Sequence, residues 1–360
     1  MPFPKNFIEN ILKMITKSKL FIISLVCIQL YFNFSGIAFA QNKIFKVACI
    51  AFYNQENLYD TIDDPNVDDA EFLPSGPNQW TSERYAIKLK HMSEAISQVG
   101  DEYVKGGPTL MGISEIENER VIVDLINSPA LKPGGYEFVH YDSPDRRGVD
   151  VALIYKKKDF QVLSSHSHRL KVSWRTDFKS RDQLVVCGLL DGEKIYVVVN
   201  HWPSRGNGAE YRAAAASLSR AICDSIQNFE PKAKIVVMGD LNDDPTDPSV
   251  YKILDASGDL KAVKETQLYN PMYKMFKDGI GSLAYRDSWN LFDQIIVSKP
   301  LLGEDKTTFK FFKAKVFNRQ FLVTTEGQFK GYPWRTFASG SFIGGYSDHF
   351  PVYIFLVKEK

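Results

Sequence analysis

Eight short runs rich in Val, Ile, Leu and Phe recur along the 360-residue chain, at 45–53, 110–113, 149–155, 184–190, 195–199, 235–238, 292–297 and 351–357. Most show little alternation of apolar and polar residues, the pattern of strands covered on both faces. Helical patterns lie between some of them. Thr81 or Ser82 opens one in which Tyr85, Leu89, Met92, Ile96 and Val99 share a face before Gly100 stops it. A second, at 209–227, turns Ala215, Leu218, Ile222 and Ile226 inward. Doubly covered strands with intervening helices predict an α/β sandwich, helices packed outside the sheets.

The first 40 residues read differently. Lys13, Lys17 and Lys19 precede an apolar run at 20–30, and the segment closes on Ala38-Phe39-Ala40, the layout of a secretory signal peptide with its cleavage site. An N-terminal membrane anchor is the alternative, but the run is short and Gln29, Asn33 and Ser35 break its continuation. A periplasmic or secreted chain beginning near Gln41 is therefore expected, with no membrane span left. No linker or composition shift interrupts the remainder, so 41–360 reads as a single domain.

Removing the leader takes away four lysines and one glutamate, moving the formal charge from +1 to −2. A chain gripping nucleic acid through a long electrostatic footprint would usually be basic, and this one is not. The densest positive stretch, 156–181, holds eight Lys and Arg against Asp159 and Asp177; it reads as a solvated edge or as a phosphate-binding face. Cys49, Cys187 and Cys223, far apart, form neither a disulfide framework nor a zinc site and read as small core residues. The polar stretch 60–78 reads as a surface loop, and His166 and His168 as part of a solvated one. The aromatic stretch 303–346 fits a further strand pair or a wall over a site.

The polar residues that interrupt the apolar runs form a consistent set. Asn54, Glu115, Asn200 with His201, and Asp240 with Asn242 come after runs; Asp293 and Asp348-His349 precede them. Singly, each has an ordinary use: Asn54 in a turn, Glu115 before the helix-like 117–126, Asp240 and Asp243 in an Asx turn. Six separate segments doing the same thing point to one shared site, because buried carboxylates need a cation, donors or water. Hard oxygen ligands without a thiol cluster favour Mg²⁺, with Mn²⁺ or Ca²⁺ as alternatives, over zinc. His201 and His349 add proton donors or acceptors near neutral pH. Asp240 and Asn242, two apart, share a face if the strand continues; Asp243, Asp244 and Asp247 belong to its exit loop.

The segments AFYNQENLYD, GISEIEN, RGVDVALIY, VVVNHWPSR, VVMGDLNDDP, FDQIIVS and YSDHFPVY, in this order over 44–358, resemble the endonuclease/exonuclease/phosphatase family of metal-dependent phosphoesterases. The resemblance implies a four-layer α/β sandwich in which two facing mixed sheets are flanked by helices. It implies that Glu115 ligates the divalent cation with Asn54 and Asp348 close by, and that Asp240 orients or deprotonates the attacking water. Asn242 would bind a phosphate oxygen or place Asp240. His349 would contact the phosphate, held by Asp293; His201 would be the acid for the leaving oxygen or a second phosphate clamp, oriented by Asp150. Asn200 belongs to the same histidine motif and is assigned to substrate. Arg205, Arg147 and Arg335 are candidate phosphate contacts, with surface or structural ion pairing as their alternative. Trp202 reads as a core or rim aromatic.

The expected activity is phosphodiester hydrolysis by in-line attack of water, with nucleic acid, DNA or RNA, as substrate. The alternatives are lipid headgroups or inositol phosphates. FDQIIV stands where inositol phosphatases carry a Cys-Asp-Arg triplet, and no amphipathic basic helix marks a membrane-surface enzyme. A binding protein that has lost catalysis is disfavoured, since each position that handles metal, water or phosphate holds a competent residue. No protein partner is predicted, and a monomer is expected.

Overall fold

The computed structural model describes residues 5–34 and 44–360. Helix α1 (Lys5–Phe34) belongs to a unit of its own, and Phe45–Lys360 form the second. Among the described residues, no helix is long and apolar enough to cross a membrane. The expected cleavage site at Ala38–Ala40 lies outside the described residues.

In chain order the second unit begins with β1 (Phe45–Leu58), α2 (Ser82–Gln98), β2 (Leu110–Ile116), α3 (Glu119–Ile126), β3 (Tyr136–His140) and β4 (Asp150–Lys156). Then come β5 (Phe160–His168), β6 (Gln183–Leu190), β7 (Glu193–His201), α4 (Ala209–Phe229) and β8 (Ile235–Asp240). Short pieces β9 (Ala256–Ser257), β10 (Leu268–Tyr269), α5 (Met272–Lys277), β11 (Leu283–Tyr285) and β12 (Ser288–Asn290) lead to β13 (Asp293–Ser298). The chain closes with β14 (Lys310–Val316), the pair β15 (Phe337–Ala338) and β16 (Ser341–Phe342), and β17 (Val352–Glu359).

Two mixed sheets result, ordered β14-β17-β1-β2-β4-β3 and β5-β6-β7-β8-β13-β10-β9. In β1, Ala48, Ile50 and Phe52 face the second sheet, whereas Cys49, Ala51 and Tyr53 pack with Met92 and Ile96 of α2 and with α3. On the other side, Val198 and Val237 pack with Ala215, Ile222 and Cys223 of α4. This is the four-layer sandwich, and it explains the missing alternation: both faces of the central strands are covered. The sheets approach so closely that a Cβ on Gly112 would come within 2.7 Å of Met238 Sδ. All three cysteines of this unit are buried and free.

Three expectations need correction. His166 and His168 lie in edge strand β5, paired with β6, rather than in a loop. The 60–78 stretch is not simply a surface loop: it buries Asp60 and Asp69, makes a turn at Ala70–Phe72, and stacks Phe72 on Tyr59 at 4.3 Å. The helix foreseen at 117–126 begins at Glu119, because Asn118 caps it by accepting from Val121 N. The aromatic stretch divides into edge strand β14, the β15–β16 hairpin and packing over α2.

Candidate active site

Parallel pairing of β1 with β2 and of β7 with β8 brings four C-terminal ends to one rim. Strands β13 and β17 run against β8 and β1, so their starting ends arrive at the same place. Asn54 thus stands opposite Ser114, the neighbour of Glu115; His201 and Asp293 each stand opposite Asp240; and His349 precedes β17. Glu115 is the extra residue of a bulge between Ser114 and Ile116, a device that re-aims a side chain. Its φ of 56° is left-handed, as are those of Glu56 (48°), Asn57 (57°) and Asn242 (52°). For residues other than glycine such backbone costs about 1–3 kcal/mol each, and here it is gathered at one rim.

Asp240 is at the centre. The preceding Gly239 lets β8 lie against β7: a Cβ there would stand 2.3 Å from Asn200 O. Asp240 Oδ1 accepts from Asn242 N at 2.9 Å and Oδ2 from Asn54 Nδ2 at 3.1 Å. Burial, with Asp293 and Glu115 adding to it against His349 and the Asn242 N–H, pushes its carboxyl up to about 7. The strand does not continue past Asp240. Asn242, left-handed, places Asp240 through its backbone N–H, while its Nδ2 donates to Trp202 O.

Two histidines flank this carboxylate, His201 Nε2 at 3.6 Å and His349 Nε2 at 3.9 Å from Asp240 Oδ2. His349 Nδ1 lies 2.7 Å from Asp293 Oδ2, which also accepts from Ser282 Oγ. Burial works against its charged form, but Asp293, Asp240 and Asp348 together hold the imidazolium well above its ordinary range. The atoms of Asp240, Asp293 and His349 lie close enough to hold an ion. The direct Asp293–His349 bond accounts for this group as a charge-assisted pair. His201 is the opposite case. Burial first, then the charges of Arg181, Arg147 and His349, push it well below the ordinary value. Its Nδ1 is buried with no hydrogen-bond partner among the described residues.

Several expected assignments are corrected by these contacts. Asp150 does not reach His201: its carboxylate accepts from Ser143 N and meets His140 Nε2 at 3.0 Å. Asn200 is fully buried, donating to Val198 O and Met238 O and accepting from Trp202 Nε1 and Ser219 Oγ, so nothing of it faces substrate. Arg205 is tied to Asp244 at 3.1 Å and Asp247 at 2.8 Å, anchoring the exit loop instead of clamping phosphate. Arg335 likewise pairs with Asp348 at 2.8 Å and Glu56 at 3.4 Å. Asn54 is not among the corrected ones: it presents an N–H to Asp240 and accepts from Glu56 N on one lone pair of its oxygen, which leaves the other for a metal. His201, neutral by its surroundings, would have to become an imidazolate to act as the leaving-group acid; a hydrogen-bond donor is the role it can fill. Arg147 stays at the cleft, half-exposed, its Nε 3.7 Å from Asp145.

A hard divalent cation fits the donor set. Glu115 Oε2 accepts from Asn57 N, and its Oε1 points toward His201 Nε2 at 3.8 Å, on the side where the buried Asp240 carboxylate also lies. Carboxylate and amide oxygens at this rim, without a thiol, suit Mg²⁺, Mn²⁺ or Ca²⁺. Glu115 is the residue that would hold it, with Asn54 close by and Asp348 at the edge, its Oδ1 3.9 Å from His349 Nε2.

The site opens into a cavity of about 390 Å³ whose lining joins Asp240, His201, His349 and Glu115 to the exposed cations Arg146, Arg147, Arg175 and Lys179, with the acids Asp145 and Asp177 among them. Residues 49–358 match the model of the endonuclease/exonuclease/phosphatase family. The chain belongs to that family. The chain has this family's phosphoesterase fold, and the enzymes of the family are divalent-metal dependent. A family protein from Bacteroides thetaiotaomicron superposes with a TM-score of 0.54 at 15% identity, over 88% of this chain and 99% of the other. A mannosyl-6-phosphatase from the same organism gives 0.52 at 16%, covering 86% and 99%. D. rerio TDP2 complexed with single strand DNA product gives 0.51 at 15%, again 86% and 99%. No curated protein sequence matches the chain.

Sequence reasoning missed Arg146, Arg175 and Lys179, the cationic wall. For Arg175 and Lys179 the signal was the positive stretch 156–181, whose two readings the sequence left open; Arg146 lies outside it.

Proposed function

We propose that this chain is a periplasmic or secreted phosphodiesterase that cleaves nucleic-acid strands with a divalent cation, Mg²⁺ first among the candidates. The cationic wall carries the reading: Arg146, Arg147, Arg175 and Lys179 are exposed and spread along the cleft beside the reacting groups. Cations spread in this way match successive phosphates of a strand better than one phosphomonoester. Among the lining residues only Phe178 is apolar, which weighs against a lipid headgroup with its acyl tails. The lysine-led apolar leader supports export.

The bound cation would neutralise a non-bridging phosphate oxygen and the charge growing on the leaving oxygen. Asp240, lifted toward neutrality by burial and pinned by Asn54 and Asn242, takes the proton of the attacking water as the new P–O bond forms and the ester P–O bond breaks. Charged His349, aligned by Asp293, binds a non-bridging oxygen through Nε2. Neutral His201 donates a hydrogen bond to a second, and Arg147 contacts the flanking phosphate.

One similar structure is a mannosyl-6-phosphatase and another holds a single-strand DNA product, so substrate has to be tested directly. A panel of DNA and RNA oligonucleotides, bis-p-nitrophenyl phosphate, sphingomyelin, an inositol polyphosphate and a hexose 6-phosphate, with Mg²⁺, Mn²⁺, Ca²⁺ or EDTA, is decisive. Strand and bis-p-nitrophenyl phosphate cleavage abolished by EDTA is expected. Release from headgroup, inositol or sugar phosphate without strand cleavage replaces this reading, and turnover of none leaves a binding protein.

A further inference from the structure

Beyond β5 the chain runs through 169–181 with five cationic residues and one acidic one. Leu170 and Val172 are buried and anchor this loop, while Arg169, Lys171, Trp174, Arg175 and Lys179 stay exposed. Trp174 and Arg175 are neighbours in sequence yet line different cavities. Arg175 faces the catalytic cleft; Trp174, with the cations Arg169 and Lys171 and one acid, Glu210, lines a second groove of about 660 Å³ with Ala213, Ala214 and Ser217 of α4.

The Trp174 indole is 53% exposed and lies between two cationic side chains of the groove, Arg169 and Lys171. It is held in place rather than loose: Tyr211 meets it edge-on at 5.7 Å and 68°. The acids nearest the flanking cations stand at the long end of ion pairing, Asp182 at 3.7 Å from Arg169 and Asp177 at 3.5 Å from Arg175. With both arginines half-exposed such pairs are weak, and they leave the guanidinium groups open to a phosphate.

We propose that Trp174, flanked by Arg169 and Lys171, is an accessory site continuing the catalytic cleft, where an unpaired base of single-stranded nucleic acid stacks on the indole while the cations take neighbouring phosphates. The inference rests on the strand-cleaving reading of the cleft. Every base has a π-face, so the platform binds without sequence preference, and a duplex, whose bases remain stacked on one another, cannot use it. DNA and RNA strands offer the same chemistry.

The test compares wild type, Trp174→Ala and Trp174→Phe on single-stranded DNA and RNA of about a dozen nucleotides, the corresponding duplex, and bis-p-nitrophenyl phosphate. For Trp174→Ala, KM on the single strands should rise roughly tenfold, the loss of one base–aromatic stack, with kcat nearly kept. Trp174→Phe should recover most of that loss, and neither variant should change the duplex or the small diester. Wild-type strand cleavage with an unaltered KM in Trp174→Ala overturns this site alone. Equal losses on all substrates also overturn it, since they mark a structural role. A wild type that hydrolyses the small diester but no strand removes the nucleic-acid reading and the site with it.

Discussion

His349 and His201 stand on opposite sides of one carboxylate, with Nε2 atoms 3.9 Å and 3.6 Å from Asp240 Oδ2, yet the fold gives them opposite characters. On the β13–β17 side, Asp293 holds Nδ1 of His349 and keeps the ring charged. On the β7–β8 side, no described residue holds Nδ1 of His201, and Arg181 and Arg147 help burial keep the ring neutral. Proximity to Asp240 is therefore not what decides protonation; the partner of the far nitrogen is. One imidazole can carry a positive charge to phosphate, and the other can only donate a hydrogen bond.

The largest effect is expected from removing the group they share. Asp240→Asn deletes the base while keeping its shape and one of its two accepted hydrogen bonds, so kcat on any phosphodiester should fall by roughly 10²–10⁴-fold with circular dichroism unchanged. Turnover within a few-fold of wild type would show that water is activated elsewhere.

A second variant erases the asymmetry itself. Asp293→Asn removes the charge that lifts His349, and burial is then left to lower its pKa. The sign comes from the raised value. His349 stays protonated above the ordinary histidine range of about 6.5 and loses its proton only as pH climbs through its higher folded value. Its contribution to stability is likewise present below about 6.5 and lost on that same climb. In Asp293→Asn the alkaline fall in kcat/KM should accordingly move to lower pH. An alkaline limb that stays where it is in wild type would mean that charge on His349 is not what the reaction uses.

The sandwich was legible because doubly covered strands leave an unmistakable mark, and all eight apolar runs are strands in their expected places. Strands β3, β5 and β14 were not, since each lies at a sheet edge where one side is wet and polar residues such as His166 and Lys313 interrupt the pattern. For the site, the sequence told which residues reach the rim, because strand ends carry polar groups there for a reason. It could not tell which way each side chain turns. Asn200 and His201 are adjacent, and alternation sends one into the contacts below α4 and the other into the cleft. Arg205 and Arg147 look alike in sequence, and only the acids around Arg205 reveal it as an anchor.

The smallest expected effect concerns Asp150 and is informative for that reason. Its sequence position in RGVDVAL suits a residue that orients His201, and such a role would make Asp150→Asn costly to catalysis, because the tautomer of an active-site imidazole is set by its far partner. In the structure the partner is His140 of β3, which pairs with β4 in the sheet that does not contain β7, and Ser143 of the loop joining these strands closes the other oxygen. Burial raises the Asp150 carboxyl while His140 and Ser143 oppose it, the marks of a local structural pair. Asp150→Asn should therefore cost about 1–3 kcal/mol of stability in urea unfolding, the penalty for a buried polar contact left half-satisfied. Its kcat and pH profile on bis-p-nitrophenyl phosphate should match wild type at a temperature where both are folded. A displaced pH profile in that variant would tie Asp150 to His201 after all, and the neutral histidine would then have a hidden partner.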